Sequence, residues 1–171
     1  RHDLQQAVEL RPRMFTRLQT LPSLKGNLGL KHFVVGNHTY LVTSEHYTGS
    51  SYQTPSHVLR WNTTTHQFDP HQTINLNGPL DVEPFTIEGE QFVAFAEYHN
   101  GATRKISSRV FRWDAATERF DDANPVGSIQ TRGAHGVTSF TVGGRTYLVF
   151  ANYHDDSAHS THSSVHVWDA G

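Results

Sequence analysis

The sequence predicts an all-β fold: a β-propeller with three four-stranded blades per chain, its ring completed by association with another chain. Three observations carry this expectation. One stretch occurs three times, as "YLVTSEHYTGSSYQTPSHVLRW" (40–61), "FVAFAEYHNGATRKISSRVFRW" (92–113) and "YLVFANYHDDSAHSTHSSVHVW" (147–168). The segments between its landmarks alternate apolar and polar residues and are punctuated by Gly, Asn and Asp, which is how short strands and their turns read. Nowhere does a convincing amphipathic helix occur.

The register of the repeat is strict. Aligned on Tyr40, Phe92 and Tyr147, the three copies place Trp61, Trp113 and Trp168 at one offset and Phe33, Phe85 and Phe140 at another. Gly26, Gly78 and Gly133 precede those Phe residues equally. Successive copies are 52 and then 55 residues apart, and the three extra residues fall near Asp121–Gly127. A period of about 40–50 residues is the signature of propeller blades or another repeat array.

The middle copy shows the four strands in order. "DVEPFTIEG" (81–89) alternates and ends in a Gly turn. "EQFVAFAEY" (90–98) is a nearly continuous apolar run, suited to burial on both faces. "SSRVFRW" (107–113) alternates again, and "RFDDANPVGSI" (119–129) is the expected fourth strand. The hairpin tips are "EGE" and "VGGR", and "WNTTTHQF" and "WDAATERF" are polar links. The repeated aromatics are assigned to the core between blades.

The expected organisation is a single propeller domain over 1–171. Residues 1–32 supply a fourth strand that closes a split blade, plus a linker. Residues 33–84 and 85–139 are blade repeats, and 140–171 are the first three strands of the split blade. Phe15 and Gln19 match Phe68 and Gln72 at the end of a unit, and a strand added there hides edges that would otherwise invite aggregation. Three blades do not close a ring, since propellers have roughly four to eight. A homo-oligomer or a second propeller chain is therefore expected, unless the chain is a fragment of a longer polypeptide.

Composition narrows the partners. The formal net charge is −2 and no long basic run exists, which argues against nucleic acid or an anionic membrane surface. No apolar run approaches the roughly 18–20 residues of a membrane span. Cysteine is absent, so neither disulfides nor thiol catalysis is available. The chain starts at Arg1 without a signal-like segment, as a processed mature chain or a fragment would.

The residues "FTVGGRTYLVFANY" (140–153), "SSVHVW" (163–168) and "FDPHQTI" (68–74), with "FTIEGEQFVAFAEY" (85–98) and "SSRVFRW", resemble the epilepsy-associated, or epitempin, repeats. The resemblance covers roughly 15–169. It implies seven-bladed extracellular propellers with binding roles and no enzymatic activity. An "Asp-Trp-Glu" segment frequent in that family reads "DVE" (81–83), "GLK" (29–31) and "GVT" (136–138) here, so any central cation site the resemblance implies lacks its full residue set.

Loops between second and third strands, 46–56, 98–107 and 153–163, are rich in Tyr, His, Asn, Ser and Thr. Loops on a rigid scaffold concentrate recognition residues. Tyr and His offer flat faces to the C–H side of a sugar and polar tips to its hydroxyls. Three equivalent trios are the candidate ligand-binding residues: Glu45/Glu97/Asn152, His46/Tyr98/Tyr153 and Tyr47/His99/His154. The competing reading is that these residues cap strands and bond loop backbone. Asn37 ("NHT") and Asn62 ("NTT") are N-glycosylation sequons. Both lie in turns that an up-and-down blade puts on the face opposite the loops.

No nucleophile elbow, phosphate loop or dinucleotide fingerprint occurs. His154, His159, His162 and His166 with Asp155 and Asp156 match no zinc spacing, and neither other copy repeats them. No metal, no cofactor and no catalytic residue is therefore expected. The expected function is that of a secreted, non-enzymatic, multivalent lectin whose partners are glycans or glycoproteins. The alternative is an extracellular protein–protein module that docks a cell-surface receptor.

Overall fold

The computed structural model describes residues 15–21, 26–159 and 161–169. Among these residues there are twelve strands and no helix, hence no helix long and apolar enough to cross a membrane. The strands form three antiparallel sheets. The first contains β1 (Asn27–Val35), β2 (His38–Glu45), β3 (Gln53–Asn62) and β4 (Gln67–Asn77), adjacent in chain order. The second contains β5 (Pro79–Ile87), β6 (Glu90–Glu97), β7 (Ser107–Asp114), β8 (Arg119–Phe120) and β9 (Gly127–Gln130). The third contains β10 (Ala134–Val142), β11 (Arg145–Asn152) and β12 (Ser164–Val167).

One expected strand is broken. Instead of running through 119–129, the fourth strand of the second sheet splits into β8 and β9, which both pair with β7. Asp121 and Val126 still donate their N–H groups to the β7 carbonyls of Arg112 and Val110, at 3.0 and 2.9 Å, and residues 122–125 bulge out between them. Pro125 lacks an N–H to donate, and the Asp121 carboxylate accepts the Asn124 N–H at 3.2 Å to close the turn.

The first strands line up across the three sheets, with β5 between β1 and β10. Acidic side chains tie that row. The Asp81 carboxylate accepts the Val137 N–H at 3.1 Å, and Glu83 accepts both the N–H and the hydroxyl of Ser139 at 3.0 and 2.9 Å. Lys31 reaches Glu83 from the other side at 3.9 Å. The acids of "DVE" thus bond the neighbouring sheet.

The repeated aromatics interlock. Phe33 and Tyr40 stack at 5.0 Å and receive Trp113 of the second sheet at 5.6 and 4.9 Å. Phe120 closes against Phe33 and Trp113 at 5.4 and 5.1 Å. One step on, Phe85 and Phe92 stack at 5.6 Å, and Trp168 of the third sheet meets Phe92 at 5.5 Å. Each such contact adds about 0.5–1.5 kcal/mol beyond the area it buries. In the third sheet the pattern changes. Phe140 and Tyr147 stack at 5.0 Å, yet Phe140 is 45% exposed where Phe33 and Phe85 are 5% and 7% exposed. The expectation that every repeat aromatic lies in the core fails for Phe140 and for Trp168, because no fourth sheet covers them among the described residues.

A glutamine latches successive sheets. Gln72 on β4 donates to the Phe120 carbonyl at 2.7 Å and accepts the Phe120 N–H at 2.9 Å. Gln19 makes the same pair of bonds to Phe68, at 2.9 and 2.8 Å. The equivalence of Gln19 and Gln72 read from the repeat is thus matched in geometry. The rest of the expected closing segment, residues 1–14 and 22–25, lies outside the described residues.

Candidate functional site

The second-to-third strand loops leave the same end of all three sheets and are fixed at their roots. The N–H groups of His46, Tyr98 and Tyr153 donate to the carbonyls of Gly26, Gly78 and Gly133 at 3.1, 3.3 and 3.1 Å. Those glycines have φ of 69°, 52° and 56°, a left-handed conformation that costs other residues about 1–2 kcal/mol. A Cβ on Gly133 would stand 2.5 Å from the His154 carbonyl oxygen. Only a residue without a side chain lets the loop return so close to the start of the next strand row.

Two members of the first trio, Glu45 and Glu97, face inward. Glu97 is fully buried and accepts Arg109 Nε and Nη2 at 2.7 and 2.9 Å, the Asn77 N–H at 2.8 Å and the Asn77 side-chain amide at 3.0 Å. The hydrogen bonds it donates to Glu97 are the main reason the Arg109 guanidinium holds its proton more tightly than usual. Glu45 is also buried, with His57 Nε2 3.3 Å away. Burial holds the His57 imidazole below its ordinary pKa. Asn152 accepts the Arg132 N–H at 3.0 Å and donates to the His162 carbonyl at 2.9 Å. These three side chains hold strand ends and loops.

The other two trios come together with three further rings, Tyr52, His135 and His159. Tyr47 meets Tyr52 at 4.7 Å, and Tyr52 meets His46 and His99 at 5.2 and 4.5 Å. His46 meets Tyr98 at 5.3 Å. His135 then bridges Tyr98 and Tyr153 at 6.5 and 5.5 Å. Tyr153 meets His159 at 5.0 Å, and His159 meets His154 at 4.3 Å. The result is a continuous aromatic ridge across the loop ends of all three sheets. Its exposed rings include Tyr47 at 39% and Tyr153 at 47%. Tyr52, His135 and His159 were not singled out in sequence. Tyr52 and His159 share one repeat position, with Arg104 standing there in the second copy, whereas His135 stands where the other copies have Leu28 and Leu80. The general Tyr and His density of these loops was a signal for the first two.

Arg104 braces the centre of the ridge. Its Nε donates to the Tyr98 hydroxyl at 2.9 Å, and its guanidinium carbon lies 5.2 Å from that ring's centroid. Asp156 of the third-sheet loop accepts the Arg104 N–H at 3.0 Å, the Arg104 Nη1 at 3.2 Å and the Thr103 hydroxyl. The Thr103 hydroxyl first, and then Arg104, hold the Asp156 carboxyl below the usual carboxylate value of 3.8. A depressed acid stabilises the folded tie above its unfolded pKa and loses that contribution as pH falls through the lower folded value. Hydrogen exchange of the 153–159 amides is therefore expected to be unchanged between pH 7 and pH 5 after correction for intrinsic rate. Faster exchange is expected as the pH drops below 3.8, and Asp156→Asn should show it already at pH 7.

Asp155 is also occupied. It accepts Arg132 Nη1 at 3.0 Å, the Ser157 hydroxyl at 2.6 Å and the Ala158 N–H at 3.0 Å. Among the described residues no three His, Asp or Glu side chains converge as metal ligands would.

Asn37 and Asn62 lie at the other end of the sheets. Asn37 is exposed in the β1–β2 turn and Asn62 ends β3; with His38, Arg60 and Trp61 they border one cleft of about 490 Å³. Asn62 has a local task as well. Its Oδ1 accepts the N–H groups of Thr64 and Thr65 at 2.9 and 3.1 Å, and its Nδ2 donates to Asp69 at 2.8 Å. Asp114 opens the corresponding turn of the second sheet, accepting the Ala116 N–H at 2.9 Å. Such Asx turns are what Asn and Asp supply here.

The three sheets that build this face overlap three successive matches to the EPTP domain, over residues 14–62, 67–114 and 124–169. The chain belongs to the EPTP family. The epitempin resemblance read from the motifs is thereby borne out. Among curated EPTP relatives is the Mus musculus thrombospondin-type laminin G domain and EAR repeat-containing protein, 30% identical over 141 residues. That match covers 82% of this chain and 21% of the relative. The Homo sapiens protein of the same name is 29% identical over 153 residues, covering 90% of this chain and 22% of the relative. The chain thus spans about a fifth of the length of these relatives. The described EPTP units carry an all-β fold in three sheets, and their loop ends share one aromatic face.

Proposed function

We propose that the chain is the binding part of a secreted, non-enzymatic EPTP protein: three blades of a β-propeller whose loop face takes carbohydrate. The propeller reading is supported by the row of first strands and by the Trp-into-aromatic-pair contact repeated from sheet to sheet. The observation that carries the sugar reading is the aromatic ridge from Tyr47 to His154. Rigid rings with polar tips match the alternating C–H patches and hydroxyls of a saccharide. Glu45, Glu97 and Asn152 belong to the support of that face and not to its contact surface. N-linked glycans on Asn37 and Asn62, at the opposite end, would leave the ridge clear.

A protein receptor is the second reading, favoured by Arg104 held against Tyr98, since Arg and Tyr are enriched at interface hot spots. A glycan array probed with the folded protein, with free-sugar competition, separates the two. Tyr153→Ala is the informative variant, because Tyr153 is half exposed and its ring meets other rings of the ridge, His135 and His159. Its binding to an array-positive glycan is expected to fall about tenfold, the loss of roughly 1.4 kcal/mol of ring contact, with an unchanged melting temperature. A blank array from folded protein would turn the reading to a protein receptor.

A further inference from the structure

We propose that Asn100 is a self-modifying site: His99 catalyses attack of the Gly101 nitrogen on the Asn100 side-chain amide, converting Asn100 to aspartate or isoaspartate at the centre of the loop face. The inference is independent of what the ridge binds. It rests on the contrast between the two Asn-Gly steps of the chain, Asn77–Gly78 and Asn100–Gly101.

In an Asn-Gly step the backbone nitrogen reaches the preceding amide carbon most easily, because glycine has no Cβ to obstruct the five-membered ring. The attack needs a base for the nitrogen's proton, a polarised carbonyl and room to close the ring. Asn100 has all three. The Gly101 N–H donates to His99 Nδ1 at 3.0 Å, within the roughly 2.6–3.2 Å reach of a general base. The Asn100 Oδ1 accepts the N–H groups of Ala102 and Thr103, each at 2.9 Å. Two fixed donors thus face the oxygen on which negative charge develops, as in an oxyanion hole. Gly101 is exposed, with a φ of 98° and open space where a Cβ would stand.

Asn77 is held against the same reaction. Its Nδ2, which would have to leave, donates to the buried Glu97 carboxylate at 3.0 Å. Gly78 is buried, and the His46 carbonyl oxygen lies 2.9 Å from where its Cβ would stand.

The groups facing His99 come from three loops: His46 and Tyr52 from the first, Tyr98 and Arg104 from its own, and Asp156 from the third. Burial first, and then Arg104, hold the imidazole below its ordinary pKa, so at pH 7 Nδ1 is free to take a proton. As the Gly101 nitrogen bonds to the Asn100 amide carbon, its proton passes to Nδ1. The carbon–Nδ2 bond then breaks, and the imidazolium returns the proton so that Nδ2 leaves as ammonia. Water opens the resulting succinimide at either carbonyl, giving aspartate or isoaspartate. Nothing is oxidised or reduced, and water is the one co-reactant.

The third copy already carries the product side chain. Asp155 stands at the repeat position of Asn100, and its Oδ1 accepts the N–H groups of Ser157 and Ala158 at 3.2 and 3.0 Å. The Asp156 N–H donates to His154 Nδ1 at 3.0 Å, as the Gly101 N–H does to His99. A carboxylate therefore fits this turn. Aspartate at 100 keeps the loop and adds a negative charge beside Tyr98 and His99, whereas isoaspartate lengthens the backbone between those rings and Arg104.

The test is incubation of the folded protein at pH 7, with its peptides read by mass spectrometry for amide-to-acid conversion and by chromatography for isoaspartate. Conversion at Asn100 with Asn77 unchanged is expected. His99→Phe keeps a ring against Tyr52 but no base, and its rate at Asn100 is expected to fall about a hundredfold, the low end of what a positioned base supplies. The pH profile separates a base from a mere support of the loop. With His99 the rate levels off above pH 7, where the imidazole is already neutral; in His99→Phe it rises in proportion to hydroxide. No conversion at Asn100, over the time in which a synthetic peptide of residues 96–105 converts, overturns the proposal. So do equal rates at Asn77 and Asn100, or a His99→Phe rate and profile that match the unmodified protein. Should His99→Phe fail to fold, the unmodified protein decides: a rate that rises in proportion to hydroxide from pH 7 to pH 9 removes His99 from the reaction.

Discussion

Glu97→Ala is expected to lower the melting temperature by about 10 °C and to leave soluble protein only at reduced temperature. The carboxylate is fully buried and answers two guanidinium nitrogens and two donors of Asn77. Removing it strands Arg109, whose side chain is 26% exposed, beside the second sheet. Breaking a buried pair from one side costs about 3–5 kcal/mol, and the partial exposure of Arg109 puts the expected value near the lower end. At about 2–4 °C per kcal/mol for a chain of this size, the shift is large enough to measure by scanning calorimetry. Glu97→Gln keeps an acceptor for Asn77 and should recover part of the loss. Replacing Glu97 and Arg109 together by Met and Leu should cost less than Glu97→Ala alone, because no charge is left unanswered. If Glu97→Ala melted like the unmodified protein and lost ligand binding instead, the carboxylate would be a contact residue after all.

The register of the repeat was enough to read the sheets, because aromatic residues that pack between layers recur at fixed offsets. The roles of the acids were harder to see, although a signal was present. Where Glu45 and Glu97 occur, the positions twelve residues on are His57 and Arg109; where Asn152 replaces the acid, Ser164 replaces the base. An acid and a base that vanish together point to a pair across neighbouring strands. The aromatic ridge was legible in part. His46, Tyr47, Tyr98, His99, Tyr153 and His154 stand at repeated positions. Tyr52 and His159 share a repeated position near the far end of their loops, while His135, where the other copies have Leu, is brought in from the start of β10 by tertiary structure alone. The split of the fourth strand was signalled by the extra residues near Asp121–Gly127, but the repeat spacing alone does not say whether they lengthen a turn or interrupt a ladder.

The repeat also makes one side chain its own control. Trp113 is buried among Phe33, Tyr40, His71 and Phe120, and Trp113→Ala is expected to cost about 3–5 kcal/mol, the range for emptying a packed aromatic site. Trp168 occupies the same repeat position, but it touches Phe92 on one side and is 38% exposed. In dilute protein Trp168→Ala should therefore cost less than half as much, measured by urea unfolding at constant m-value. A cost at 168 that equals the cost at 113 would mean that the third sheet is covered as fully as the second.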